Sequence, residues 1–303
     1  MSKHVVQPKV SVVIPTYNRA DKLRRTLDSL MRQTINDFEV VICDDGSTDE
    51  TADVVNEYSP LLDITYDFSD NYGGPARPRN RGVKLARAPY IAFLDSDDWW
   101  SKKKLEVSLE YMNEGADIVY HDLFYVTKSD QNYFWRKVTT RDLSRPVFND
   151  LLRNGNLITN SSVVLRKNLL EKINGFNEDK EFIAIEDYDA WLRIAKYTDK
   201  FKRIPQTLGF YWGGGGNISN SKRMLININA FEKCYFNSIN ILGDVYWLDY
   251  AAGKAYMNLK SYHLAINKFS SIGWEKTPLS IYFRSKLLMW ATKLNYIFTR
   301  KWQ

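Results

Sequence analysis

SVVIPTYNR (residues 11–19) and FEVVICDDGSTD (residues 38–49) decide the architecture, because each is an apolar, β-branched run that stops at a polar, turn-forming cluster. Residues 10–15 are nearly continuously apolar, which reads as a strand covered on both faces, the habit of parallel sheets. Between the two runs, residues 21–33 place Leu23, Leu27, Leu30 and Met31 on one helical face. Strand, helix, strand is the βαβ unit. Working outward, residues 49–58 read as the next helix, ITYDF (64–68) as a third strand, 80–86 as a helix and 89–94 as a fourth strand. Successive strands end in polar or acidic residues, and in an open α/β sheet the ligand crevice lies outside those ends.

Past Trp100 the pattern changes to a helix (103–114), a strand (116–126), a polar, loop-like excursion (128–145) of the sort that binds acceptors, a strand (161–165) and two helices (167–173 and 187–197). GGGG at 213–216 reads as a flexible loop, and from about residue 225 the chain reads as helical. LDYAAGKAYMNLKSYHLAINKF (248–269) resembles one tetratricopeptide-like hairpin. One such unit is too few for a solenoid, so it is a helical appendage. The expected division is therefore 1–222 and 223–303.

At 303 residues the chain allows one large domain or two modest ones. Hydrophobic residues at 44% and charged residues at 26% describe a globular protein, and 14% aromatics exclude a low-complexity chain. Two cysteines, Cys43 and Cys234, build no disulfide framework and lack CxxC spacing, which points to a reducing compartment. No run approaches the roughly 18 apolar residues of a spanning helix, and the first residues lack a signal-peptide core, so a cytosolic protein is expected. A net charge of +6 suits anionic partners, whether nucleotide diphosphates, nucleic acid or an acidic membrane surface.

Five motifs carry chemistry: SVVIPTYNR, DDGSTD (44–49), NYGGPARPRNRG (71–82), LDSDD (94–98), and GFNED (175–179) followed by IEDYDAWLR (185–193). A carboxylate at a strand end can accept the imide N–H of uracil, which makes Asp45 a base reader, with Tyr17 and the backbone at Pro15 packing on base or ribose. Alternatively Asp44, Asp45, Ser47 and Thr48 are favoured caps of the following helix. Asp95 and Asp97 flank Ser96 and so point to one side of an extended strand end. Two hard oxygen ligands suit Mg²⁺ or Mn²⁺, with room for diphosphate oxygens and water. Asp98 equally caps the next helix, and a solvated acidic turn is the plainer alternative. The glycines of 71–82 allow close backbone approach, and its arginines supply planar donors for a diphosphate or for orienting Asp95, unless this is a basic surface loop. Glu186 and Asp187 open a helix whose N-terminus should cap with a carboxylate of lowered pKa. Such a group still receives a proton late in a displacement. Arg193 reads as a brace acting through the acidic cluster.

In this order and spacing the motifs resemble the family 2 glycosyltransferases, inverting enzymes of GT-A fold that use nucleotide-activated sugars, over roughly residues 8–220. The resemblance implies an α/β fold, a Rossmann-like mixed sheet flanked by helices, as a catalytic domain over 1–222 with a C-terminal helical appendage. It places the uracil contact on Asp45 and nucleotide contacts on Asn71 and Arg79, with one more intervening residue than the commonest pattern, so that Arg77 competes with Arg79. It gives Asp97 the metal, Asp95 the ribose and metal, with Ser96 in the same nucleotide-binding stretch, and makes Asp187 the general base. A Mn²⁺ or Mg²⁺ cofactor, a UDP-sugar donor and a glycan or lipid-linked acceptor of capsule or O-antigen assembly follow from it, with no nucleic acid partner and a location in the cytoplasm or at the inner membrane face. Some relatives supply a histidine ligand downstream of the ED helix. YWGGGGNIS (211–219) has none, and the histidines are His4, His121 and His263. His121 faces the sugar or packs within its strand. A nucleotidyltransferase would carry a glycine-rich phosphate loop after the first strand, which PTYNRADK is not, and GxGxxG is absent. A silent nucleotide-sugar binding module would not need Asp95, Asp97 and Asp187.

From Lys276 onward there is no acidic residue, while Lys276, Arg284, Lys286, Lys293, Arg300 and Lys301 are basic. Leu279, Phe283, Leu287, Trp290, Leu294 and Ile297 recur every three or four positions. This basic amphipathic helix either lies on an anionic membrane or docks its stripe on the preceding hairpin.

Overall fold

A computed structural model describes residues 7–216, 218–242 and 245–300. The strands are β1 (Val10–Thr16), β2 (Phe38–Asp44), β3 (Ile64–Phe68), β4 (Tyr90–Phe93), β5 (Trp99–Trp100), β6 (Ile118–Val126), β7 (Lys137–Val138), β8 (Val164–Arg166) and β9 (Phe201–Trp212). The helices are α1 (Ala20–Met31), α2 (Thr51–Tyr58), α3 (Ala76–Leu85), α4 (Lys104–Asn113), α5 (Val147–Asn154), α6 (Lys167–Lys172), α7 (Glu186–Ala195), α8 (Ser221–Leu242), α9 (Tyr246–Asn258), α10 (Tyr262–Ser271) and α11 (Leu279–Arg300). Of the described residues, 7–148, 156–180 and 186–216 form one compact unit, and 149–155, 181–185 and 218–300 form another. His4 and Lys301 lie outside the described residues.

The first unit is built on one mixed sheet in the order β3-β2-β1-β4-β8-β6-β9-β5, with β7 paired to β6. β3, β2, β1 and β4 run parallel, and β8 pairs antiparallel with both β4 and β6. Because the chain moves from β1 to β2 and β3 on one side and returns to β4 on the other, the strand order reverses at β1. The C-terminal ends of β1, β2 and β4 thus flank a topological switch point.

Every residue of β1 and β2 is buried, as continuous apolar runs require. Val12, Ile14, Val40 and Ile42 face a cluster with Leu23, Leu27 and Leu30 of α1, Val54 of α2 and Leu105 and Met112 of α4. Each fully buried leucine contributes about 1.5–3 kcal/mol relative to an exposed one. Met31, read onto the same face, ends the helix and is exposed. On the other face α3 approaches so closely that a Cβ at Gly82 would strike Val13 and Cys43. α3 starts at Ala76, earlier than its apolar periodicity indicated, and Pro78 sits in its first turn, where a missing N–H costs little. Cys43 is buried and its thiol is pushed up to about 12, chiefly by burial.

β9 was not legible because Pro205 interrupts it. The sheet accepts the proline through register shifts: His121 pairs with Ile204, Asp122 with Thr207 and Leu123 with Gly209, leaving Pro205, Gln206 and Leu208 as extra residues. The strand expected at 161–165 begins later, since 160–162 form a 3₁₀ turn before β8. The excursion at 128–145 contains only the two-residue β7.

In the second unit α9 and α10 form the expected hairpin, closely packed because a Cβ at Gly253 would strike the Phe269 ring. Ala265, Phe269 and Ile272 form its core, with Tyr282, Leu288 and Met289 of α11 packed against it. Lys286 Nζ donates to the carbonyls of Phe269 (3.1 Å) and Ile272 (2.8 Å), satisfying groups that the end of α10 leaves open.

Candidate active site

The turn after β4 is held from beneath by α1. Thr26 Oγ1 donates to the carbonyls of Ser96 (3.0 Å) and Asp98 (2.7 Å), and Arg25 donates to that of Asp97 (3.0 Å). Asp98 Oδ1 accepts from the Trp212 N–H at 2.8 Å, fastening the turn to the end of β9. Asp95 and Asp97 are therefore partly exposed while Ser96 and Asp98 are buried, the alternation expected of an extended segment. Asp98 does not cap α4, which begins after Lys103.

One guanidinium joins this turn to a distant helix. Arg79 on α3 is buried, with Nη2 donating to Asp95 Oδ1 (2.7 Å) and Nη1 to Glu186 Oε1 (2.5 Å). The Asn160 amide oxygen, oriented to suit its neighbours, accepts from Arg79 Nε at 3.1 Å and Nη2 at 3.2 Å. Arg79 is thus turned inward, orienting Asp95. Arg81 is also engaged, with Asp67 at 2.6 Å. Arg77 is partly exposed and rests over the Tyr72 ring at 4.9 Å. Asn80 secures α3 to the GFNED segment by exchanging hydrogen bonds with the Phe176 backbone at 2.9 and 2.7 Å. Gly175, at φ +74°, leaves room for that side chain.

Glu186 pairing with Arg79 brings Asp187, in the first turn of α7, to the same carboxylate cluster. Asp187 Oδ1 accepts from the Tyr188 N–H at 2.7 Å. Its carboxyl is nevertheless pushed up to about 7, first by burial and then by the Glu186 charge, with Arg79 opposing. The sequence expectation of a lowered value is corrected: desolvation and a like charge outweigh the helix N-terminus. Asp97 is likewise raised, by burial and by Asp95, against the nearby Arg19 and Lys22. Arg193 donates to Asp189 (2.7 Å) and to the Ile173 carbonyl (2.6 Å), so it braces its own helix and α6's end, not the Asp95 cluster.

Sequence reasoning gave Arg19 and Lys22 no role. Arg19, Lys22 and Arg25 are spaced three apart at the start of α1, a spacing that puts them on one helical face and could have revealed them. Arg25 is stacked over the Trp99 ring at 3.7 Å.

At the end of β2, Asp45 is buried and its carboxylate accepts from the Tyr72 N–H (3.1 Å) and Gly73 N–H (3.0 Å). Asn71 Nδ2 donates to the Asp45 carbonyl at 2.8 Å. Gly46, at φ +87°, permits this, since a Cβ would meet the Asn71 backbone. Tyr17 is half-exposed beyond β1, and Pro15 is buried within it. Asp49 accepts from the first N–H of α2, that of Thr51 (3.2 Å), and of α1, that of Ala20 (3.1 Å), while Asp44 accepts from the Ser47 N–H (2.7 Å). His121 is fully buried, with Nδ1 2.9 Å from the Asp122 carbonyl and its pKa lowered to about 3 by burial; it is a packed strand histidine.

Asp95 and Asp97 present two hard oxygen donors whose mutual repulsion a divalent cation would relieve, so the donor set fits Mg²⁺ or Mn²⁺. Among the described residues no group of three or more His, Cys, Asp or Glu side chains is arranged to hold a metal ion by itself. Most coordination positions would fall to diphosphate oxygens and water.

A parallel half-sheet with carboxylates at its switch point, extended by antiparallel strands, is the GT-A architecture of nucleotide-sugar enzymes. The sequence matches Glycosyl transferase family 2 over residues 11–174, more than half the chain, and the chain belongs to that family. It is 29% identical over 70% of its length to an Escherichia coli protein, covering 80% of that protein, the UDP-Glc:alpha-D-GlcNAc-diphosphoundecaprenol beta-1,3-glucosyltransferase WfaP. Several other relatives are longer, and the match spans about a fifth of their length. In structure it resembles S. aureus TarS in complex with UDP-GlcNAc (TM-score 0.61, 19% identity, 91% of this chain and 79% of that one). It also resembles a mannosyltransferase from Pyrobaculum calidifontis in complex with GDP-Man and Mn²⁺ (TM-score 0.61, 16% identity, 97% and 88%).

Proposed function

We propose that this chain transfers a hexose, with inversion, from a UDP-sugar to a hydroxyl of a glycan or lipid-diphosphate-linked acceptor, with Asp187 as general base. The observation that carries the reading is the Arg79 clamp, which draws the Asp95 turn and the Asp187 helix into one site. Asp45 reads the base, while Tyr17, the Pro15 backbone and Asn71 hold the nucleoside. Arg77, Arg19 and Lys22 face the diphosphate, and Arg79 positions Asp95. Asp95 and Asp97 would hold Mn²⁺ or Mg²⁺, which when bound neutralises charge on the departing diphosphate. The acceptor oxygen attacks the anomeric carbon opposite that group. As the new C–O bond forms, the bond to the diphosphate breaks, its electron pair leaves with UDP, and the hydroxyl proton passes to Asp187. A carboxylate with a pKa near 7 suits that task. The E. coli relative's named donor and acceptor support a UDP-sugar and a lipid-diphosphate-linked acceptor. On this reading the chain works at the inner membrane face, in assembly of a surface polysaccharide such as capsule or O-antigen.

The test is UDP release from UDP-glucose, with a GlcNAc-diphosphate-lipid acceptor and Mn²⁺, together with the anomeric configuration of the product by NMR. Turnover giving a β-linked product from the α-linked donor supports the reading. Retained configuration overturns inversion, and a rise in melting temperature with GDP-mannose but with no UDP-sugar overturns the nucleotide. Asp97→Ala is expected to weaken UDP binding in Mn²⁺ buffer and to make what remains insensitive to metal, because Asp95 alone offers too few ligands. Calorimetry that finds unchanged metal dependence would remove Asp97 from the metal site.

A further inference from the structure

α11 has two apolar faces and the hairpin covers only one. Leu288 and Met289 pack against the core of α10, and Ser285 and Thr292 beside them are buried. At 100° per residue, Leu279, Phe283, Leu287, Trp290, Leu294 and Ile297 fall on the opposite side of the helix. There Phe283 is 66%, Leu287 71% and Trp290 65% exposed, and the other three are exposed as well. Six large apolar side chains in one exposed row are a surface awaiting an occupant.

Charge decides which occupant fits. From Phe283 to Ile297 the row follows a 4-3-4-3 spacing, as a coiled coil with a second copy would require. The positions flanking that seam would then be Arg284, Lys286, Ala291 and Lys293, and no acidic residue occurs after Glu275 to answer them. Two copies would set cation against cation. An anionic surface instead meets an apolar row edged by exposed Arg284 and Lys293, with Trp290 as an aromatic anchor. Lys286 is committed to the carbonyls of α10 and is not counted among the edge charges. No described helix is long and apolar enough to cross a membrane, so the geometry is that of a helix lying in the interface.

We propose that the outer face of α11 seats this protein on an anionic lipid bilayer. The test is flotation of the full chain with phosphatidylcholine vesicles, with and without phosphatidylglycerol, combined with light scattering and melting of each variant. The expected result is binding to the phosphatidylglycerol vesicles that falls about fivefold or more between low and high salt. Leu287→Glu with Trp290→Glu should abolish it while leaving the melting temperature within about 2 °C of the parent, because the row supports no packing. Arg284→Glu with Lys293→Glu should weaken binding to charged vesicles. Failure to bind charged vesicles at low salt overturns the proposal, as does equal binding to neutral ones. A parent dimer that the Leu287 and Trp290 changes convert to monomer, without vesicle binding, assigns the row to a second copy. A melting temperature that falls sharply in that variant shows the row to be packed. None of these outcomes depends on the transfer chemistry.

Discussion

Asp187→Asn is expected to lower the transfer rate by about 10²–10⁴-fold while leaving UDP binding within a few-fold of the parent, since the amide keeps its size but cannot take a proton. The parent's rate should rise with pH and level off above about 7, where the Asp187 carboxyl loses its proton, and the variant's residual rate should show no such step. Stability moves the other way. Between about pH 4, where the unfolded chain's carboxyl titrates, and about 7, the folded state holds a proton that the unfolded state has released. The parent therefore loses stability from this group as pH rises through that window. Allowing for partial exposure, the variant should be the more stable by about 1–2 kcal/mol at pH 8 and equal to the parent at pH 4. Normal turnover, or a melting difference that does not depend on pH, would eliminate Asp187 as an elevated base.

Arg79→Met is expected to be the most damaging single change to the fold. It leaves Glu186, almost wholly buried, and Asp95 without their shared cation, and breaking a buried pair in this way costs about 3–5 kcal/mol. For a domain of this size that is a fall of roughly 10 °C in melting temperature. Adding Glu186→Gln should recover part of the loss, because the stranded charge is then gone. Arg79→Lys should recover less, since an ammonium cannot fork between two carboxylates and an amide. If Arg79→Met melts within about 1 °C of the parent, the clamp is energetically idle.

The sequence signals that proved legible are local ones. The runs at β1 and β2, the leucine spacing of α1 and the alternation of Asp95 and Asp97 follow from periods of two and 3.6, which need no knowledge of the rest of the chain. β9 escaped because its pairing with β6 forgives a proline only through shifts that the partner strand determines. The helix N-terminus that points to a lowered pKa for Asp187 is visible in sequence, whereas its burial and its neighbours, which raise it, are not. For Arg79 the local motif allows either a diphosphate donor or a group orienting Asp95, and it cannot choose, because Glu186, the partner that turns it inward, lies 107 positions away.

That separation also orders the assembly of the site. Arg79 meets Asp95 across 16 positions and Glu186 across 107, so closing the second loop costs about 1.7 kcal/mol more chain entropy than closing the first. Asp95 and Asp97, proposed for the donor side, lie on the turn just after β4, whereas Asp187, the proposed base, lies on α7, a helix made much later. The contact that brings in the proposed base is thus the costlier one to close, and it is expected to be the first to open. In denaturant, catalysis is therefore expected to fade while the first four strands are still in place.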